Sequence, residues 1–398
     1  MRRRRVKITG IGPVTPAGVG RDAFWQGIQE PISRIRSFEK LGEEWGPFVA
    51  ATVDDQTLRD CRSRESLPKH MARHTWFGVV GALLAIEDAG IDAASLSDRT
   101  WAFITGTSIM DFGGITRGTE SVAKKGIRGV MPRLVYSASV ANVATSIAQV
   151  MGVGGRTLAV QSSCCSGLDA IGQGAEAIAS GSADIVIAGG SEAPLFKHRA
   201  AGLTPSTVER AESSCRPFDL WRTTGTISEG AAMFVLEPEE SPRTGYCWID
   251  GHAFANDDEG DLCGGLGDSI EESLANADTR RGEIDVINAW APGHRQIDAA
   301  EAAVMGKVFG HDLARIFTHS IKGAVGNALG GAPAIQVAAS VLGLRHQSIP
   351  PTVNWEFPDP ACPLHLSADS EAFNHRKVLI NAHGLAGMNS SLVLSRCP

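Results

Sequence analysis

The chain has 398 residues, a formal net charge of −7 and 43% hydrophobic residues, which is typical of a large globular protein. The negative charge argues against a nucleic-acid-binding body, and no apolar run reaches the ~20 residues that span a bilayer. The eight cysteines show neither CxxC pairs nor zinc-ligand spacing. We therefore expect thiols rather than disulfides, no metal site and a reducing cytoplasm. We expect no signal peptide, because glycines and prolines break the apolar segment after Arg5.

Strands, glycine-rich turns and helices alternate along the chain. In the first half we predict strands at 6–10, 101–105, 157–160, 185–188 and 231–236, and helices from 21 and over 70–89, 138–150 and 164–180. In the second half we predict strands at 286–289, 316–319 and 378–381, and helices over 298–309 and 331–344. This alternation predicts an α/β fold with parallel or mixed sheets.

The most informative segment is 161–172, where a short apolar strand runs into Ser-Cys-Cys-Ser-Gly and then a helix. A thiol at a helix N-terminus meets the positive end of the dipole and unpaired backbone N–H groups, which stabilise its thiolate. Cys164 is therefore a candidate acyl-accepting nucleophile, and a buried structural cysteine is the alternative. A similar corner at 322–326 suggests a duplication, although the identity between the halves is too low to establish a repeat.

Several motifs resemble, in order, those of the elongating β-ketoacyl-acyl-carrier-protein synthases and their type II polyketide relatives. They are the opening segment 6–16, the nucleophile motif at 163–167, Arg-Pro-Phe-Asp at 216–219, Glu-Gly-Ala at 229–231, Pro-Pro-Thr-Val-Asn at 350–354 and Gly-Leu-Ala-Gly-Met-Asn at 384–389. The resemblance covers nearly the whole chain. It implies an α/β, thiolase-like five-layer αβαβα fold of two duplicated halves, residues 1–245 and 246–398, and an obligate dimer.

The resemblance assigns Cys164 to the nucleophile position and the backbone N–H groups of Cys164 and Leu385 to an oxyanion hole. Both family histidines are replaced. Trp290 stands at the first position, in a block that keeps Glu301, and Asn327 stands at the second, in a block that keeps Lys322. Two further departures are Thr-Thr-Gly at 223–225 in place of Asp-Gly-Phe, and Leu385 in place of the gate phenylalanine.

Other residues of these blocks have expected roles. Lys322 is expected to anchor its loop and to pair with Glu301. His383 directly precedes the glycine loop that faces the nucleophile, so it is the candidate substitute for the missing imidazoles. His294 and His319 are weaker candidates. For all three histidines, an ordinary hydrogen-bonded histidine is the alternative.

The replaced histidines have identifiable chemistry. In decarboxylation of a malonyl thioester, imidazoles donate hydrogen bonds to the enolate oxygen and assist proton movement, and losing one such donor costs ~10²–10³ in rate. Asn327 still offers a donor, whereas Trp290 offers an indole N–H, no acid–base function and more bulk. The sequence thus predicts that acyl acceptance survives and that decarboxylative condensation is compromised.

Two functions remain open. The chain is similar to a chain-length-factor subunit, which forms a heterodimer with a complete ketosynthase, although better-known chain-length factors lack the cysteine. Alternatively, Cys164 serves an acyltransferase, or an atypical ketosynthase assisted by His383. Both imply an acyl carrier protein with its phosphopantetheine arm, no bound cofactor, and a dimer through segments 138–150 and 157–160. Lys124, Lys125, Arg128 and Arg133, or the region 199–210, could receive the carrier protein.

Overall fold

The structure is a computed structural model that describes residues 3–38, 48–64, 71–92, 99–196, 215–258, 260–385 and 387–397. The first half contains β1 (Val6–Thr15), β2 (Gly18–Val19), α1 (Arg21–Gln29), β3 (Arg36–Ser37), β4 (Val49–Ala50), α2 (Asp55–Arg64), α3 (Arg73–Asp88), β5 (Trp101–Gly106), α4 (Phe112–Lys125), α5 (Leu134–Ser137), α6 (Asn142–Met151), β6 (Arg156–Val160), α7 (Ser166–Ala179), β7 (Ile185–Glu192) and β8 (Gly230–Pro238).

The second half follows after a short connection. It contains β9 (Cys247–Asn256), α8 (Gly264–Asn276), β10 (Val286–Asn288), α9 (Arg295–Phe309), β11 (Phe317–His319), α10 (Lys322–Val325), α11 (Ala332–His346), β12 (Ser348–Ile349), β13 (Glu371–Ala372), β14 (Lys377–Gly384) and β15 (Met388–Arg396). Within the described residues, no helix combines the length and the hydropathy needed to cross a membrane.

Both halves use the same strand order, which shows the duplication that the sequence left unproved. The first half is ordered β6-β5-β7-β8-β1 and the second β11-β10-β14-β15-β9. In each half the second strand of this order is parallel to both of its neighbours, and the fourth strand is antiparallel to the third and the fifth. The half-sheets join where Val6, Lys7 and Ile8 of β1 pair with β9.

Helices cover both faces of each half-sheet. Helices α7 and α11 pack against each other between the half-sheets, α3 and α6 cover the outer face of the first, and α8 and α9 cover that of the second. One continuous buried apolar cluster includes residues of both halves, such as Phe234 and Leu392. The expected five-layer α/β arrangement is confirmed.

The first strand is longer than predicted, because its glycines serve packing rather than a turn. A Cβ on Gly10 would lie 2.1 Å from the carbonyl oxygen of Ala85, and one on Gly12 would lie 1.8 Å from that of Gly81. These glycines let helix α3 approach β1 closely, and the strand continues through Pro13.

Other boundaries moved by a few residues. The helix predicted over 138–150 begins at Asn142, because α5 forms a separate short turn before it. The start of the helix predicted at 70–89 lies outside the described residues, which contain α3 from Arg73. Sequence reasoning missed the helices α2, α4, α5, α8 and α10, the long strands β9 and β15, and the two-residue strands β2, β3, β4, β12 and β13.

Candidate active site

The nucleophile turn lies where β6 leads into α7. A single 3₁₀ turn, Ser163–Cys165, joins them, and Ser163 adopts a left-handed φ of 53°. The side chain of Cys164 is 6% exposed and lies at the N-terminal end of α7. This corner is the strand–turn–helix unit that the sequence predicted, with the thiol at its apex.

The glycine loop after β14 lies against this turn. A Cβ on Gly384 would lie 2.9 Å from the Cβ of Ser163 and 3.4 Å from the amide nitrogen of Cys164. The backbone that leads into Leu385 therefore runs beside the Cys164 amide. This proximity supports the predicted oxyanion hole, which remains a prediction.

A cavity of about 110 Å³ gathers six of the residues singled out from the sequence. Its walls are Cys164, Thr224, Gly225, Thr226, Ile227, Trp290, Pro292, His294, Ile297, Asn327, Leu329, His383 and Leu385. Most of these residues are apolar or small. Because the volume of the cavity is small, the thiol faces a narrow space. Thr224 and Gly225 form one wall of the cavity. They belong to the Thr-Thr-Gly block that differs from the family motif, and the sequence did not predict that this block lines the site.

Glu301 holds the backbone of Trp290. Its carboxylate accepts the N–H groups of Trp290 at 2.9 Å and Ala291 at 2.8 Å, and that of the Asn381 amide at 3.3 Å. Burial raises the pKa of Glu301, and these hydrogen bonds oppose the rise. The retained carboxylate thus fixes the loop that presents the indole to the cavity.

Lys322 holds the same residue from another side. Its ammonium donates to the carbonyl oxygen of Trp290 and, at 2.9 Å, to Oε1 of Gln336. Burial lowers the pKa of Lys322 to about 7, and the charge of Glu301 opposes this fall. The expected pairing of Lys322 with Glu301 takes an indirect form, since both bind the backbone of Trp290.

Asn327 is fixed by the strand-like segment beside it. Its backbone N–H donates to Thr226 at 2.7 Å, and its carbonyl accepts the N–H of Ser228 at 2.9 Å. Its side-chain oxygen accepts the N–H of Leu329 at 3.2 Å. The amide nitrogen is therefore the polar group that Asn327 can offer to the cavity.

The three candidate histidines differ in their position relative to the cavity. His383 and His294 line the cavity, whereas His319 ends β11 elsewhere. Burial lowers the pKa of His319 to about 3, and its Nδ1 has no partner within the described part of the chain. His294 caps α9, accepting the N–H groups of Gln296 and Ile297.

Cys165 is a buried filler beside the nucleophile. Its thiol donates to the carbonyl oxygen of Met388 at 3.3 Å, and burial raises its pKa well above the ordinary value. Two residues that sequence reasoning did not assign a role, Asn389 and Asp257, lie behind His383 and are described below. The closing motif at 384–389 was the signal that could have identified Asn389.

The duplicated five-layer fold, with a thiol at the corner between the half-sheets, defines a thiolase-like protein. Residues 3–241 match the family described as Beta-ketoacyl synthase, N-terminal domain, and residues 246–356 match Beta-ketoacyl synthase, C-terminal domain. The chain belongs to the β-ketoacyl synthase family.

Individual relatives match along their whole length. The tetracenomycin polyketide synthase ketoacyl synthase alpha subunit of Streptomyces glaucescens is 28% identical, over 99% of this chain and 97% of its own. The structure of the ishigamide ketosynthase/chain length factor has a TM-score of 0.93 at 27% identity, covering 100% of both chains. A type II polyketide synthase acyl carrier protein in complex with its ketosynthase bound to the hexaketide gives 0.91 at 26% identity, also over 100% of both chains.

Proposed function

We propose that the protein is a chain-length-factor-like subunit of a type II polyketide or fatty-acid synthase, acting in the cytoplasm as the partner of a complete ketosynthase in acyl-chain elongation. The observation that carries this proposal is the buried indole of Trp290 in the Cys164 cavity. Trp290 stands where the resembled family has its first catalytic histidine. A subunit that shapes a shared acyl tunnel does not need the histidine pair.

The chemistry supports the same conclusion. Neither the indole of Trp290 nor the amide of Asn327 gains or loses a proton near neutral pH, so neither side chain can replace an imidazole in acid–base catalysis. The cavity of about 110 Å³ also leaves little room for an elongated polyketide chain beside the thiol. Elongation on this subunit alone is therefore disfavoured in both chemistry and space.

The edge of the first half-sheet supports a dimer. Strand β6 ends the order of the sheet, and Leu158 on it is 42% exposed. Val135 and Tyr136 of α5 are also exposed. An edge strand with exposed apolar side chains is a ready site for pairing with another chain. The partner we propose is a complete ketosynthase, and a second copy of this chain is the alternative.

An acyl carrier protein with its phosphopantetheine arm is the second proposed partner. Carrier proteins of this type are acidic, and Lys124, Lys125, Arg128 and Arg133 are exposed around the end of α4. This basic cluster is our proposed docking surface. The other region considered, 199–210, lies outside the described residues.

Co-expression tests the partner role directly. The chain is produced with a tag beside a complete Cys-His-His synthase encoded nearby, purified through the tag and measured by native mass spectrometry. We expect a one-to-one heterodimer, and chain lengths of the product that change when Trp290 is replaced. A homodimer that does not bind the complete synthase would overturn the proposal in favour of a Cys164-dependent acyltransferase.

A further inference from the structure

Two histidines line the Cys164 cavity, and their hydrogen bonds give their rings opposite polarity. In His294 the Nδ1 atom accepts the backbone N–H groups of Gln296 at 3.3 Å and Ile297 at 3.4 Å. The proton of the neutral ring therefore lies on Nε2. Burial lowers the pKa of His294, which favours this neutral ring. His294 can donate a hydrogen bond from Nε2, but that atom cannot accept a proton.

The orientation of His383 is set by a chain that begins at Asp257. The two carboxylate oxygens of Asp257 accept the backbone N–H groups of Gly265 at 3.0 Å and Cys263 at 3.1 Å. The oxygen bound to Gly265 also lies 2.7 Å from Nδ2 of Asn389. Because a carboxylate that binds two N–H groups is an acceptor, Asn389 must turn its NH₂ group toward it.

The orientation of Asn389 then decides the tautomer of His383. The Asn389 NH₂ group also faces the carbonyl oxygen of Gly387 at 3.2 Å, another obligate acceptor. The side-chain oxygen of Asn389 therefore faces Nδ1 of His383 at 2.8 Å, and Nδ1 must carry the proton. This leaves the lone pair of the ring on Nε2, the opposite polarity to His294.

We propose that His383 is the general base for acylation of Cys164, with Asn389 as its positioning residue. His383 is 3% exposed and shares the cavity with the thiol. Its ring is buried, held in one tautomer, and able to accept a proton on Nε2. The arrangement of thiol, imidazole and amide follows the logic of nucleophile, base and orienting group.

The acylation step balances without another reactant. As the Cys164 sulfur attacks the carbonyl carbon of a pantetheine-linked acyl thioester, its proton passes to Nε2 of His383. The new sulfur–carbon bond forms, and the carbon–sulfur bond to pantetheine breaks. The departing thiolate takes the proton from Nε2, which returns the imidazole to its starting state. No carbon dioxide is lost, so the step does not need the absent histidine pair.

The test measures acyl adducts on Cys164 of the full chain by intact-protein mass spectrometry, with acetyl-pantetheine and octanoyl-pantetheine as probes. We expect His383→Gln to slow acylation by about 10²-fold or more, the usual share of a general base. Exogenous imidazole should restore part of the rate in His383→Ala. His311→Gln, which changes an exposed histidine outside the cavity, is the matched control and should stay within about threefold of the wild type.

The role of Asn389 in positioning His383 can be tested separately, because it predicts the tautomer of the His383 ring, which a purely structural role for Asn389 would not affect. Nitrogen NMR of histidine-labelled protein should show Nε2 as the unprotonated nitrogen of His383, and Asn389→Leu should populate the other tautomer. A folded His383→Gln variant that acylates within about threefold of the wild type overturns the proposal. So does a wild-type Cys164 that neither thioester acylates. Failure to bind a complete ketosynthase would count against the proposed function instead, and would leave this result standing.

Discussion

The ammonium nitrogen of Lys322 lies 3.9 Å from the centroid of the Trp290 ring and donates a hydrogen bond to the carbonyl oxygen of the same residue. A cation over an indole face is attracted by the ring quadrupole, and burial strengthens the attraction. Lys322 therefore stabilises both the backbone and the ring of Trp290. The large side chain at the imidazole position is part of a fixed, interlocked unit.

This relationship makes stability depend on pH. Burial lowers the pKa of Lys322 from 10.5 to about 7, so between these values the unfolded chain binds a proton that the folded chain does not. Stability from this group must rise with pH across that window, by up to about 1.4 kcal/mol per pH unit. We expect the difference in unfolding free energy between the wild type and Lys322→Met to be larger at about pH 9.5 than at about pH 6.5 in denaturant titrations.

The exposed Lys307 provides the control for this experiment. Lys307→Met should leave the difference from the wild type the same at both pH values. An equally constant difference for Lys322→Met would show that its ammonium is not destabilised by burial.

The second prediction concerns decarboxylation. With Trp290 and Asn327 in place of both imidazoles, the purified protein should release carbon dioxide from malonyl-carrier protein at least ~10²-fold more slowly than a complete ketosynthase, since each lost donor costs about that much. Trp290→His combined with Asn327→His should raise the rate. Fast release by the wild type that disappears in Cys164→Ala would contradict this prediction.

The third prediction concerns the relative reactivity of the cysteine thiols toward iodoacetamide. Burial raises the pKa of Cys362 to about 12 and that of Cys397 to about 11. The position of Cys164 at a helix N-terminus favours its thiolate. Iodoacetamide near neutral pH should therefore alkylate Cys164 first, as peptide mapping would show. Alkylation of Cys61 or Cys397 while Cys164 stays unmodified would favour a structural role for Cys164.

The fourth prediction tests the edge strand as an interface. Leu158→Asp places a carboxylate on β6, and burying it without a partner should weaken the dimer roughly tenfold or more. The matched control is Leu262→Asp, because Leu262 is 43% exposed and precedes α8, away from that edge. Native mass spectrometry over a dilution series gives both dissociation constants. Equal constants for the two variants would exclude β6 from the interface.

The fifth prediction concerns the contact of α3 with β1. A Cβ on Gly12 would lie 1.8 Å from the carbonyl oxygen of Gly81, so Gly12→Ala should cost about 1–3 kcal/mol or more in unfolding free energy. A Cβ on Gly306, within α9, would meet no atom within 4 Å. Gly306→Ala should instead stabilise the protein by up to about 1 kcal/mol. Chemical unfolding measures both, and a Gly12→Ala variant as stable as the wild type would contradict the packing described.

Local patterns in the sequence were sufficient to predict the class of fold and the principal residues of the site. The Ser-Cys-Cys-Ser-Gly corner predicted the position of Cys164, because a strand, a tight turn and a helix each leave a local signature. The order of motifs identified Trp290 and Asn327 as replacements. The same local reasoning ended β1 at Gly10, because a glycine that serves close packing resembles a glycine that makes a turn.

Tertiary structure decided what depends on contacts between distant segments. The sequence contains His383, Asn389 and Asp257, but only the pairing of β15 with β9 and β14 brings Asp257 behind Asn389 and so sets the tautomer of His383. Hydrogen-bond direction depends on which partners meet, and no periodic pattern encodes it. The residue types at the site could therefore be read from the chain, whereas the polarity of its histidines and the fixing of Trp290 by Lys322 arise only when distant segments of the second half pack together.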